Sequence, residues 1–197
     1  VKLEYHKLTD TPPWHIRNVN VDLTLTNRIR KDEPPDVIKT AALEHFEQYD
    51  KSLKIYTDGS RSNTGIVSSA FYIKNTNEQF KYRISNGLTI FTAELIAIKQ
   101  SLSWIKQNHT DSNEKITIFS DSKSSLESIK AHKSKLRPNL LNEILELLTS
   151  IKANITFVWI PAHVDLSGNE MADQLAKSAL MHNTVDLDIK FEACELY

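Results

Sequence analysis

The sequence predicts an α/β fold in which a mixed sheet is covered by helices. Three stretches of strand-like alternation follow one another between residues 53 and 85. From residue 91 onward, helical and strand periodicities alternate. Strands first and alternation afterwards is the pattern of a sheet with both antiparallel and parallel members. The chain has 197 residues, 40% hydrophobic and 25% charged, enough for one domain of ordinary size plus an appendage. Folding at this length buries roughly 70% of the unfolded surface, so the core needs no disulfide or metal staple.

Residues 1–50 read as a linker or the tail of an upstream domain. Two pairs, Pro12-Pro13 and Pro34-Pro35, punctuate weak periodicity, and seven Lys/Arg face nine Asp/Glu. After Pro35 a helix over 36–49 is expected, with Val37, Ala41 and Phe46 on one side. The domain itself is expected over 51–182, followed by an extension over 183–197. Leu53 to Thr57 alternates like a strand and meets a turn signal at Asp58-Gly59-Ser60. Strands over 66–74 and 79–85 flank the turn-rich Asn75-Thr76-Asn77. A helix over 91–108 follows from Phe91, Leu95, Ile98, Leu102 and Ile105, spaced by four, three, four and three. A strand over 115–119, helices over 122–132 and 139–152, a β-prone strand over 155–160 and a helix over 168–181 complete the order.

Composition excludes several function classes. The four glycines (Gly59, Gly65, Gly87 and Gly168) fit neither a dinucleotide-binding fingerprint nor a P-loop. The seven histidines and the single Cys194 show no zinc-type spacing, and one cysteine cannot form an internal disulfide, which suits a reducing, intracellular compartment, nucleus or cytoplasm. No apolar run approaches the roughly 18 residues of a membrane span, and no signal segment is visible. The chain opens on Val1 and reads as a piece of a longer protein. With a net charge of −1, any nucleic-acid contact must come from a local patch. Residues 122–137 offer one: Lys123, Lys130, Lys133, Lys135 and Arg137 against Glu127 alone. A solvated helix end, with cations near its C-terminus, explains that patch equally well.

The chemistry-bearing residues are carboxylates. Asp58, Asp121 and Asp173 sit at strand ends or helix starts. If the strands before Asp58 and Asp121 are parallel neighbours, both carboxylates reach the sheet edge where α/β ligand sites form. Glu94 falls about 20° from Ile105 on the helical wheel, beside the apolar face, where a bare carboxylate is costly unless a cation compensates it. Each has a structural alternative: Asp121 as an N-cap, Asp58-Gly59 as a turn, Asp173 as an acid suited to a helix N-terminus. Ser167 and Glu170 match a capping box, and Trp104 and Trp159 lie on apolar faces.

Five motifs occur in order: Tyr56-Thr57-Asp58-Gly59-Ser60, Thr92-Ala93-Glu94-Leu95, Phe119-Ser120-Asp121-Ser122, Trp159-Ile160-Pro161-Ala162-His163 and Gly168-Asn169-Glu170-Met171-Ala172-Asp173. Over residues 53 to 181 this order resembles the ribonuclease H family, specifically the domains carried by non-LTR retrotransposons. The resemblance implies a five-stranded mixed sheet flanked by helices and cleavage of the RNA strand of RNA–DNA hybrids. It implies that Asp58, Glu94, Asp121 and Asp173 bind two Mg²⁺ ions, with Mn²⁺ as a substitute, and that His163 assists proton transfer or product departure. Ser60, Asn63, Lys123, Lys133, Lys135 and Arg137 are the candidate nucleic-acid contacts. The implied partners are the hybrid and a covalently attached upstream reverse transcriptase domain, with no membrane and no small-molecule cofactor.

The chain departs from the family pattern at three places. Ile90 and Phe91 stand where many members place asparagines that read 2′-hydroxyls, and Arg61-Ser62-Asn63-Thr64 replaces a glycine-rich turn. Val164-Asp165 follows His163 where glycine is usual, which predicts a stiffer loop and weakened turnover. Two other functions compete. An inactive hybrid-binding module of a decayed element should have lost one of the four carboxylates, and all four stand. A transposase or integrase of related fold uses three carboxylates without this helix start or histidine loop.

Overall fold

The protein is described by a computed structural model covering residues 3–4, 18–30, 32–109 and 113–192. Trp14, Cys194 and the Pro12-Pro13 pair lie outside the described residues. The elements in chain order are β1 (Leu3–Glu4), β2 (Asn20–Asp22), α1 (Leu25–Arg28), α2 (Pro35–Phe46), a 3-10 turn (Glu47–Tyr49), β3 (Leu53–Arg61), β4 (Val67–Ile73) and β5 (Glu78–Ile84). They continue with α3 (Ile90–Asn108), β6 (Lys115–Ser120), α4 (Lys123–Ala131), α5 (Pro138–Ser150), β7 (Asn154–Trp159), α6 (Ser167–Ala179) and β8 (Phe191–Glu192).

Six strands form one sheet in the order β2-β7-β6-β3-β4-β5, and β1 pairs in parallel with β8 in a second, two-stranded sheet. β3, β4 and β5 form an antiparallel meander, while β6 joins β3, and β7 joins β6, in parallel. The mixed α/β sheet is as the sequence predicts, but it has six strands rather than five. The extra strand, β2, pairs in parallel with β7 through Asn20↔Thr156, Val21↔Phe157 and Asp22↔Val158. Three residues carry too little alternation to be read as a strand; the tertiary contacts of Val19, Val21 and Leu23 with the core hold them there.

Strand alternation divides the core between the two faces of the sheet. Ile55, Phe71, Ile116, Ile118 and Phe157 face α3, α4 and α5. Tyr56, Phe119 and Val158 face the other way, against α2 and the start of α6. On that second face Phe119 stacks on Tyr56 at 4.8 Å and meets Phe46 at 4.8 Å, so α2 is seated on the sheet by aromatic contact. α3 begins at Thr89, whose side chain accepts from the Thr92 N–H at 3.2 Å. The Ser167–Glu170 capping box does not form. Helix α6 already includes Ser167, Leu166 is its N-cap, and no side chain caps it. Trp104 and Trp159 are partly buried and pack against the core, as expected.

The described part of the arm before residue 50 is tied down by one polar knot. Asp22 alternates away from Val21, toward α2, and its Oδ2 takes the Tyr49 hydroxyl at 2.5 Å and His45 Nε2 at 2.7 Å. Its Oδ1 accepts from the Thr24 N–H at 2.8 Å. Burial works against the ionised Asp22, yet these hydrogen bonds outweigh it and hold the carboxyl down at about 2. Because the folded value lies below the ordinary 3.8, this stabilisation is full above about pH 4 and fades as the pH falls toward 2. Asp22→Ala should cost about 1–3 kcal/mol at pH 7, with the gap to the unmodified chain closing below pH 4. Urea melts across that pH range measure both the size and the closing of the gap.

Candidate active site

The parallel pairing of β3 with β6 builds the site. Thr57 is in register with Ser120, so the next residue on each strand, Asp58 and Asp121, arrives at the same sheet edge. β3 does not turn at Asp58-Gly59 as its composition suggested. It runs on to Arg61, and the turn falls at residues 62–66, where the Gly65 N–H bonds the Ser62 carbonyl at 3.0 Å. Alternation sends Gly59 toward α3, where a Cβ would lie 2.7 Å from the Glu94 backbone nitrogen and 2.8 Å from the Ala93 Cβ. Only glycine lets the start of α3 sit this close, and that closeness delivers Glu94 to the edge. Gly168 does the same for α6, because a Cβ there would overlap the Tyr56 ring at 2.3 Å.

Asp58, Glu94 and Asp121 each place one carboxylate oxygen so that all three lie within 4.8 Å of one another. Asp58 is 7% exposed and Glu94 6%. Asp58 Oδ2 and Glu94 Oε2 are buried with no hydrogen-bond partner. Asp173 is not in this group; its Oδ2 accepts from Lys177 Nζ at 2.7 Å, one helical turn on. Its charge is still felt by both aspartates. The structure therefore gathers three of the four expected carboxylates and stations the fourth beside them.

Desolvation dominates the ionisation of the cluster. Burial raises Asp58 from its ordinary 3.8 to about 8, aided by Asp121 and Asp173 and opposed by Lys177. Burial likewise pushes Glu94 well up, with Asp58 and Asp121 adding to it and the Gly59 N–H acting against it. Asp121 is raised by burial, while Asn169 and His163 counteract. Carboxylates packed this tightly, two of their oxygens without donors, suit a hard divalent cation bound through oxygen.

Three supporting residues go beyond the sequence expectations, which place Trp159 in the core and give Asn169 and Lys177 no role at the site. Asn169 Nδ2 donates to Asp121 Oδ2 at 3.3 Å, and Trp159 Nε1 donates to the Asp121 carbonyl at 3.0 Å. Lys177 provides the counter-charge of Asp173. The Asp173–Lys177 spacing of four on a helix was the available signal for the last. His163 is exposed on the loop after β7 in a left-handed conformation (φ 56°), close enough for its charge to act on Asp121. Asp165 repeats that conformation (φ 54°), one that glycine adopts without strain, while Val164 and Leu166 are buried and anchor the loop.

The expected nucleic-acid contacts divide. Asn63 is exposed in the β3–β4 turn and Ser60 is half-buried at the end of β3. Lys123, Lys133 and Lys135 are exposed, Lys123 standing 3.7 Å from Glu127. Arg137 does not fit the expectation. It is 1% exposed, donates to the Lys190 carbonyl at 2.8 Å and lies 3.9 Å from Glu192. A basic run in sequence does not show which member turns inward.

Residues 50–181 match the family model for RNase H. The chain belongs to the ribonuclease H family. RNase H enzymes cleave the RNA of RNA–DNA hybrids and usually use a divalent metal, and the acidic cluster of this RNase H domain lies where its paired strands meet the start of α3. Among the described residues no helix is long and apolar enough to cross a membrane.

The raised Asp58 sets a pH dependence of opposite sign to that of Asp22. Between pH 4 and pH 8 the folded, metal-free domain keeps a proton that the unfolded chain has released, so its stability falls as the pH rises through that window. Asp58→Asn should remove much of this slope and raise metal-free stability at pH 8 by about 1–2 kcal/mol, or about 3–6 °C. Thermal melts in chelator across the window test it.

Proposed function

We propose that this RNase H domain hydrolyses the RNA strand of RNA–DNA hybrids at the carboxylate cluster, with Mg²⁺ as its ion and Mn²⁺ as a substitute. The observation that carries the reading is the convergence of Asp58, Glu94 and Asp121 within 4.8 Å, with Asp58 Oδ2 and Glu94 Oε2 buried and without donors. Asp58, Glu94, Asp121 and Asp173 would hold the cations. Held there, such cations would supply activation of the attacking water and charge stabilisation at the leaving 3′ oxygen of an in-line displacement.

The remaining work belongs to the chain's own side chains. Trp159 and Asn169 fix the backbone and carboxylate of Asp121 from two elements, so its direction is set before substrate arrives. Asp58 and Glu94 are buried, so packing fixes both carboxylates at the sheet edge. His163, exposed at the rim, serves as the proton carrier to the 3′ oxygen as the P–O3′ bond breaks, leaving a 5′-phosphate and a 3′-hydroxyl. Asp165 holds a left-handed backbone that glycine would relieve, which slows the movement of this loop. Ser60, Asn63, Lys123, Lys133 and Lys135 meet the hybrid backbone, the lysines supplying a salt-dependent share of affinity.

The motif order of the sequence supports a further reading. The domain belongs to a non-LTR retrotransposon polyprotein, downstream of a reverse transcriptase domain, and removes template RNA after reverse transcription.

Incubating the purified chain with a labelled hybrid, with Mg²⁺ or with chelator, tests the activity. Mg²⁺-dependent cleavage confined to the RNA strand is expected, and Asp121→Asn should lower it at least about 100-fold. Tight hybrid binding without cleavage by the unmodified chain would support the inactive module instead.

A further inference from the structure

The loop between α4 and α5, residues 132–137, carries Lys133 and Lys135 and is fastened from the C-terminal side of the chain. Glu192, 2% exposed, accepts from the backbone N–H groups of Asn139 and Leu140, each at 3.1 Å. These donors open α5, whose N-cap residue, Arg137, supplies no side-chain cap of its own. A buried carboxylate at this place satisfies amide donors that the helix leaves over and meets the positive end of its dipole. Arg137 folds inward beneath the loop, donating to the Lys190 carbonyl and facing Glu192, while its N–H bonds Ser134 Oγ at 3.0 Å.

The segment that carries Glu192 is itself tied to the edge of the sheet. Asp186 Oδ2 accepts from the Arg83 N–H at 2.7 Å, Leu187 bridges Ile84 in parallel, and the Ile189 N–H donates to Ser85 Oγ at 2.8 Å. The other end of the loop is equally fixed. His132 takes a left-handed turn (φ 52°) after α4, and the Lys133 N–H returns to the Ser128 carbonyl at 3.1 Å. A loop pinned at both ends presents two exposed lysines in a set geometry, so little ordering entropy remains to be lost when a polyanion binds.

We propose that Glu192 is a positioning residue for hybrid binding: through Arg137 and the first turn of α5 it holds the loop from which Lys133 and Lys135 meet the substrate backbone. It touches no substrate and acts at a distance from the carboxylate cluster. The proposal rests on the reading of that loop as a backbone contact. It also turns Arg137 from a candidate contact into the buried link between the C-terminal segment and the loop.

The test is steady-state cleavage of a hybrid by the full chain, with hydrogen exchange of the 132–140 amides as a second readout. Glu192→Ala should raise KM about 5–10-fold, leave kcat within about twofold, and speed exchange in the loop. Glu192→Gln keeps one acceptor where the carboxylate uses two, Oε2 for the Asn139 N–H and Oε1 for the Leu140 N–H, and should recover only part of the loss. Lys133→Ala with Lys135→Ala should raise KM comparably and lower the salt slope of binding by about 2, and Glu192→Ala should add little on that background. Should Glu192→Ala fail to fold, Arg137→Lys, which keeps the charge and loses the guanidinium fork, carries the same comparison.

Faster loop exchange with an unchanged KM overturns the proposal and leaves Glu192 a helix cap. So does a KM effect that adds fully to that of the lysines. A lysine pair without effect on KM or on the salt slope overturns the reading of the loop as a contact, and the proposal with it. A lysine effect without a Glu192 effect overturns the proposal alone.

Discussion

Three carboxylates held within 4.8 Å of one another, two of them almost wholly buried, repel and are poorly solvated, and the rest of the domain is arranged around that cost. Register supplies the first pair, since Thr57↔Ser120 leaves Asp58 and Asp121 adjacent whatever their side chains prefer. A missing Cβ supplies the third, because Gly59 admits the start of α3 to the strand. Asn169 and Trp159 hold Asp121 in place, and Lys177 takes the charge of Asp173. The cluster costs stability when ionised, and a divalent cation is the group that relieves it, so stability and chemistry are opposed in the metal-free chain and reconciled in the loaded one.

Segments before and after the family-matched region brace that core. Asp22 draws Tyr49 and His45 onto β2, extending the sheet beyond β7 and seating α2 over Phe119. The segment from Asp186 to Glu192 spans from the end of β5 to the start of α5. Neither brace contributes to the cluster, and both use a buried or half-buried carboxylate as the knot. The same chemical group thus does two jobs, and partners decide which: Asp22 and Glu192 are met by donors, whereas Asp58 and Glu94 keep oxygens that none reaches.

Much of this was legible in the sequence. Long periodic elements came out within a few residues, α3 above all, and the wheel position of Glu94 beside Ile105 pointed to its burial. Asp58 and Asp121 were readable as neighbours on the condition that their strands pair in parallel, and β3 and β6 meet it. What escaped depends on contacts distant in sequence. β2 is only three residues long, and its partner β7 lies far along the chain. Arg137 sits in a basic run, and nothing local shows that Lys190 and Glu192 will bury it. Gly59 suggested a turn because its real reason, the approach of α3, belongs to packing. Asp173 stands outside the group of three and pairs with Lys177, a contact visible only once the spacing of four is placed on a helix.

Proton release on cation binding tests the central claim most directly. With Asp58 raised to about 8, the metal-free cluster holds a proton on it at pH 7, and burial pushes Glu94 upward as well. Calorimetric titration with Mn²⁺ in two buffers of different ionisation enthalpy should show about one proton or more released per cluster at pH 7, with affinity rising as the pH approaches 8. Binding that releases no proton, or an affinity indifferent to pH across that range, would contradict the account.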